Sequence, residues 1–130
     1  MRGVLDCNVL VSVARVDGAC REVIDRAVRR HEIVLSEPIL REYVAVAGRP
    51  SQAPCRVTMG FVIEEIRRLA FFVEPANIVF GLRDPDDEVY LATAAGGDAV
   101  LITGNTRDFT ETHYGSVEVW SPRTPLDRTS

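Results

Sequence analysis

The sequence predicts an α/β protein, a three-layer α/β/α sandwich around a central, mainly parallel sheet of four to five strands. Short apolar segments typical of buried strands recur along the chain, at 4–6, 31–35, 72–73, 99–103 and 117–120. Amphipathic segments with helical spacing lie between them. With 130 residues, the chain is long enough for one domain, 1–130, but hardly for two.

The first half of the chain contains three predicted helices. A mostly apolar helix covers 8–15, and an amphipathic one covers 19–30, supported by acid-before-base pairs four residues apart. Ser36 is the predicted N-cap of the third helix, which ends at Gly48. A polar loop with two prolines then covers 49–56.

The second half contains two predicted helices and an irregular segment at 75–81. The helix at 57–71 has a predicted inward face of Phe61, Val62, Ile66 and Leu69. The next helix opens at Asp84-Pro85 and ends at Gly96-Gly97. The tail from about residue 122 is predicted to be loose.

Composition narrows the function. All fifteen basic residues are arginine, and the formal net charge is −4. Without lysine, a P-loop and Schiff-base chemistry are excluded. The arginines suit phosphate contacts, although a codon bias of the source genome would also explain them. The three cysteines form no CxxC pair, which disfavours a zinc site. The sequence has neither an apolar run of membrane-spanning length nor a signal-peptide layout, so we expect a cytoplasmic protein that does not contact membranes.

Four carboxylates stand out because each lies where a strand ends or near a helix start: Asp6, Glu42, Asp87 and Asp108. Parallel sheets collect ligands at the carboxyl ends of their strands. Acids gathered there from distant parts of the chain would repel one another unless a cation lay between them. Mg²⁺ or Mn²⁺ is the natural candidate, because hard divalent cations prefer oxygen ligands.

Each carboxylate also has a simpler interpretation. Asp6 and Asp87 could cap the helices that follow them, and Glu42 could pair with an arginine. Asp108, together with Asn105, could serve turn chemistry alone. The four together favour a shared site, because capping does not require acids to lie at one edge of a sheet.

Several motifs resemble those of PIN-domain nucleases, and together they span almost the whole chain in order. They are Asp6-Cys7-Asn8 as the opening D-x-N motif, Glu42 as the helical glutamate, Asp87 before Leu91-Ala92-Thr93-Ala94, Thr103-Gly104-Asn105-Thr106-Arg107-Asp108-Phe109, and the closing Val119-Trp120-Ser121-Pro122. The set is most similar to the VapC-like toxins of bacterial toxin–antitoxin pairs. The sequence departs from the family pattern at two positions: Cys7 stands where the family often has Thr, and Asn105 stands where it often has Asp. The second departure leaves open whether Asn105 or Asp108 lies nearer the metal.

The resemblance implies a PIN-like fold and a Mg²⁺- or Mn²⁺-dependent ribonuclease that forms a homodimer and is blocked by a cognate antitoxin. Asp6, Glu42, Asp87 and Asp108 would hold one or two ions. Asn8, Ser12 and Asn105 would position these acids, and Arg15, Arg49 or Arg107 would hold the RNA backbone.

Two other functions remain open. A phosphotransferase with an aspartate nucleophile is disfavoured by Asn8 and by the absence of lysine. A PIN-like module that binds RNA or protein, with a poor metal site, is the non-enzymatic alternative.

Overall fold

The structure is a computed structural model that describes residues 2–15, 32–105 and 107–121, without the side chains of Val13 and Arg15. Within these residues the strands are β1 (Arg2–Leu5), β2 (Glu32–Leu35), β3 (Phe71–Phe72), β4 (Val100–Ile102), β5 (His113–Tyr114) and β6 (Val117–Trp120). The helices are α1 (Cys7–Arg15), α2 (Glu37–Ala47), α3 (Arg56–Leu69) and α4 (Pro85–Gly96), with a 3-10 helix at Pro50–Cys55. The predicted helix at 19–30 and the tail from residue 122 lie outside the described residues.

The strands pair in the order β3-β2-β1-β4-β6-β5, and all pairs except β5–β6 are parallel. Gly3 of β1 pairs with Ile33 of β2 on one side and with Val100 of β4 on the other. The chain first moves outward from β1 through β2 to β3 and then returns to the opposite side of β1. This reversal creates a topological switch point between β1 and β4, the place where open α/β sheets bind ligands.

The predicted α/β class with a mainly parallel sheet and flanking helices is confirmed, whereas the strand number is six among the described residues rather than four to five. The additional strand, His113–Tyr114, turns back at Gly115 (φ +60°) and pairs antiparallel with β6. A two-residue strand of polar and aromatic side chains has no apolar period that reveals it in the sequence.

Helix α4 packs against β1, β2, β4 and β6, whereas α1, α2 and α3 pack on one another. Apolar side chains of the sheet and of these helices form one buried core. Among the described residues, no helix combines the length and the apolar character needed to cross a bilayer.

Three local predictions are corrected. Ser36 is the N-cap residue of α2, as predicted, but its hydroxyl does not bond to the helix, because it lies in the core and shares a 2.8 Å hydrogen bond with Thr93 Oγ1. Phe61 and Leu69 are 62% and 44% exposed, since the buried stripe of α3 consists of Met59, Val62, Ile63 and Ile66. The predicted loop at 49–56 contains the 3-10 helix Pro50–Cys55.

The predicted end of α4 at Gly96-Gly97 is also a close-packing point. A Cβ on Gly97 would lie 2.6 Å from Val34 Cγ1, and one on Gly96 would overlap the backbone carbonyl of Glu74. The nearby Ala76 N–H donates to Ala92 O at 2.8 Å, which binds the segment after β3 to α4. Both glycines are therefore needed where α4 meets its neighbours.

We expect Gly96→Ala to lower the free energy of unfolding by about 1–3 kcal/mol, because the backbone at Glu74 must shift. Gly60→Ala is the matched control, since Gly60 lies inside α3 and a Cβ there meets nothing within 4 Å. The control should raise stability by about 0.5–1 kcal/mol through helix propensity. Urea unfolding measures both, and two changes of the same sign would contradict this interpretation.

Candidate metal centre

Asp6 lies at the carboxyl end of β1, beside the switch point, and is only 3% exposed. Its backbone N–H donates to Ile102 O at 3.0 Å, which continues the pairing of β1 with β4. Thr103, which follows β4, donates its hydroxyl to Asp6 Oδ2 at 2.7 Å. Burial raises the pKa of Asp6, and the hydrogen bonds from Thr103 and from Cys7 and Asn8 oppose that rise.

Two further carboxylates lie at the start of α4. Asp84 is the N-cap, and its Oδ1 accepts a hydrogen bond from the Asp86 N–H at 2.9 Å. Asp87 lies in the first turn, where the helix dipole favours a negative charge, and it is 9% exposed. Its Oδ2 is buried and has no hydrogen-bond partner among the described residues.

The loop after β4 supplies Asp108 and the side chain that orients it. Asn105 donates from Nδ2 to Asp108 Oδ2 at 2.8 Å, and Asn105 Oδ1 accepts from the Asp108 N–H at 3.3 Å. The Asn105 N–H donates to Thr103 Oγ1 at 3.0 Å, and the Gly104 N–H donates to Asn8 Oδ1 at 3.4 Å. One network thus joins the loop after β4 to the residues that follow β1.

Three of these acids converge. Each of Asp84, Asp87 and Asp108 offers a carboxylate oxygen, and the three oxygens all lie within 4.8 Å of one another. Burial raises the pKa of Asp87 to about 7, helped by the neighbouring carboxyl of Asp108 and by the negative charges of Asp6 and Asp84. Three converging carboxylates, one of which has a buried oxygen without a hydrogen-bond partner among the described residues, fit a hard divalent cation.

Glu42 lies outside this group of three. Its side chain is 31% exposed, and its Oε1 lies 4.0 Å from Nη2 of Arg49. The next residue, Tyr43, is fully buried and donates its hydroxyl to the carbonyl of Leu5, which anchors α2 beside the end of β1. Burial raises the pKa of Tyr43. The arginine pairing considered from the sequence is therefore present, at the long end of an ion pair.

The remaining predicted positions are Ser12 and three arginines. Ser12 is exposed on α1, and Arg49 and Arg107 are exposed as well. The Arg107 N–H donates to Asn105 Oδ1 at 3.3 Å. The Arg15 side chain lies outside the described residues.

Cys7 borders the centre from the first residue of α1. Its thiol lies beside the hydroxyl of Tyr90, which is 2% exposed and has no hydrogen-bond partner among the described residues that meets normal geometry. Burial raises the pKa of Cys7 to about 11, with further contributions from Asp6 and Glu42. The thiol is therefore protonated at neutral pH and is a poor nucleophile.

Sequence reasoning missed two residues of this centre. Asp84 was assigned to capping alone, and Thr103 was given no role of its own. The spacing of three between Asp84 and Asp87 was the available signal, because residues three apart share one side of a helical turn. The polar Thr103 at the end of an apolar strand was a weaker one.

A family model described as PIN domain matches residues 2–107, and the chain belongs to the PIN-domain family. No curated protein sequence matches it significantly.

Solved structures of VapBC proteins share the fold. The chain is 13% identical to one in VapBC2 from Rickettsia felis bound to a DNA fragment from their promoter, with a TM-score of 0.65 over 93% of this chain and 98% of that chain. It is 16% identical to a chain in VapBC-1 from nontypeable Haemophilus influenzae, with a TM-score of 0.64 over 95% of this chain and 100% of that chain. It is 18% identical to a chain in DNA-bound VapBC from Salmonella typhimurium, with a TM-score of 0.63 over 94% of this chain and 98% of that chain. At these identities the likeness establishes the fold.

We expect Asp87→Asn to stabilise the metal-free protein at pH 8. The folded-state pKa of Asp87, about 7, exceeds its ordinary value of 3.8, so the folded state binds this proton more tightly than the unfolded chain. The stability that this proton contributes is therefore fully present below pH 4 and is lost as the pH rises through about 7. Since solvent screens part of the effect, the gain should be about 1 kcal/mol, or about 3–6 °C in Tm.

Asp86→Asn is the control, because it removes an exposed acid from the same helix turn. Thermal unfolding in EDTA across pH 4–8 compares the variants. Equal Tm shifts for Asp87→Asn and Asp86→Asn at pH 8 would show that the charge of Asp87 does not destabilise the folded protein more than an exposed charge does.

Proposed function

We propose that the protein is a Mg²⁺- or Mn²⁺-dependent endoribonuclease. The observation that carries the proposal is the convergence of the Asp84, Asp87 and Asp108 carboxylates, in which Asp87 has a buried Oδ2 without a hydrogen-bond partner among the described residues. Membership of the PIN-domain family supports a nuclease, and the arrangement of acids supports its dependence on a divalent cation.

Asp6, Glu42, Asp87 and Asp108 form the proposed metal-binding and catalytic set. Asp87 and Asp108 would hold the ion, with Asp6 on the neighbouring strand, and Glu42 would join through a water or a change of rotamer that releases Arg49. A bound divalent ion lowers the pKa of a coordinated water and offsets the negative charge that develops on the phosphate. A carboxylate of the set that is not bound to the ion can accept the proton of the attacking water.

The surrounding polar residues would hold this set and the substrate. Asn105 keeps the carboxylate of Asp108 turned towards the centre, and Asn8 and Ser12 are proposed to position the acids from α1. Arg15, Arg49 and Arg107 are proposed to hold the RNA backbone. The exposed guanidinium groups of Arg49 and Arg107 are suited to phosphate contacts.

We further propose that the protein is the cytoplasmic toxin of a toxin–antitoxin pair, that it forms a homodimer and that a cognate antitoxin blocks its site. Support comes from the sequence resemblance and from the shared fold with chains of VapBC structures. Exposed apolar side chains on the described helices, among them Val44, Val57 and Phe61, are the kind of surface that partner proteins cover.

Cleavage of a mixed single-stranded and structured RNA pool is the direct test of the ribonuclease. We expect cleavage with Mn²⁺ or Mg²⁺, none with EDTA, and a loss of about 100-fold or more in Asp6→Asn and Asp87→Asn. Asp86→Asn, which removes an exposed acid from the same turn as Asp87, should retain activity within about threefold. RNA binding without cleavage, unaffected by metal, would support the PIN-like binding module instead.

Light scattering tests the proposed partners. Alone, we expect the 14.4 kDa chain to elute at twice its mass, as a homodimer does. Co-expression with the product of a short reading frame found next to its gene should yield a stable complex in which RNA cleavage is suppressed. A monomer that forms no complex with that product would contradict the toxin assignment but leave the metal-dependent cleavage to be judged separately.

A further inference from the structure

The N-cap residue of α4, Asp84, carries a charge that capping does not require. A carboxylate carries two oxygens with about four acceptor sites, and Asp84 uses Oδ1 to accept from the Asp86 N–H. Asparagine or serine would cap this helix as well as aspartate does. What aspartate alone adds at this position is a full negative charge near Asp87 and Asp108.

That charge is costly in the absence of a counter-ion. One carboxylate oxygen of each of Asp84, Asp87 and Asp108 lies within 4.8 Å of the others, and like charges repel at that distance. The buried Oδ2 of Asp87 has no hydrogen-bond partner among the described residues. Both observations fit a cation held between these three carboxylates.

The position of Asp84 is also fixed by the fold. Glu88, one turn into α4, accepts hydrogen bonds from the Phe80 N–H at 2.9 Å and from the Leu82 N–H at 2.8 Å. Its carboxylate thereby ties the segment that leads to Asp84 onto the helix. Asp84 is held from both sides, by its own cap and by this clamp, so its carboxylate is preorganised next to Asp87.

We infer that Asp84 is a direct ligand of the divalent cation, with one oxygen capping α4 and the other facing the ion. The inference rests on the proposed metal-dependent function and extends its ligand set by a residue that the sequence motifs do not include. It places three of the ligands, Asp84, Asp87 and Asp108, on the α4 and β4 side of the switch point. Asp84 raises the negative charge of the site, which strengthens the binding of a hard cation.

The test measures binding of Mn²⁺ alone by isothermal titration calorimetry and by the Mn²⁺-induced rise in Tm. Asp84→Asn retains the cap but removes the charge, and we expect it to weaken Mn²⁺ binding by about tenfold or more. Asp84→Ser provides a second cap-preserving variant with the same expected loss. Asp86→Asn is the matched control, with the same change of charge two residues away, and should change the affinity by less than about threefold.

The possible outcomes separate this inference from the proposed function. Tenfold weakening in both Asp84 variants, with the control unchanged, supports Asp84 as a ligand. Binding that Asp87→Asn abolishes while Asp84→Asn matches Asp86→Asn overturns the inference and leaves the proposed metal site intact. A wild-type protein that binds no Mn²⁺ overturns both.

Discussion

The crowding of carboxylates at the switch point is the constraint on which the rest of the site depends. Asp87 is buried beside two other acids, and burial disfavours a charged group more strongly than any single hydrogen bond favours it. The positive end of the α4 dipole offsets part of this repulsion, because Asp84 and Asp87 lie in or before the first turn. The remainder must be balanced by protons or by a cation, and the choice between them depends on pH and on metal.

Neutral donors hold these acids in place. Thr103 donates to Asp6, and Asn105 donates to Asp108. Among the described residues, ion pairs join Arg2 to Glu32, Arg49 to Glu42 and Arg67 to Glu64, and none of these three pairs involves Asp6, Asp84, Asp87 or Asp108. A hydroxyl or an amide orients a carboxylate and leaves its charge available, whereas an arginine would compete with a cation for the same oxygens.

The sequence predicts the scaffold of this site better than its contacts. Asp6 directly after β1, Asp87 at the start of α4 and Asp108 in the loop after β4 lie where the sequence predicts them, because short apolar runs, an Asp-Pro pair and a glycine turn are local signals. The meeting of Asp84 with Asp108 depends on how the loop after β4 folds towards α4, which no local pattern encodes. Capping and metal binding both use aspartate, so residue type alone cannot separate them.

Two local predictions outside the site differ from the structure for the same reason, because they depend on tertiary contacts. Ser36 has the residue type and position of a cap, but a partner 57 residues away, Thr93, offers its hydroxyl a hydrogen bond inside the core. Phe61 is apolar and lies in an amphipathic helix, yet the packing of α3 selects another stripe. In both cases a tertiary contact overrides a local preference, and the functional residues are subject to the same rule.

The asparagine at position 105 illustrates how the site limits its own charge. Its Nδ2 donates to Asp108, while its Oδ1 accepts from the N–H groups of Arg107 and Asp108. An aspartate at this position could accept those two bonds but could not donate to Asp108, and it would add another negative charge beside the centre. Because both ends of the amide are occupied in holding the loop, the structure leaves Asp108, rather than Asn105, as the group available to a cation. Asn105 therefore acts on the site through Asp108, by fixing the direction in which that carboxylate points.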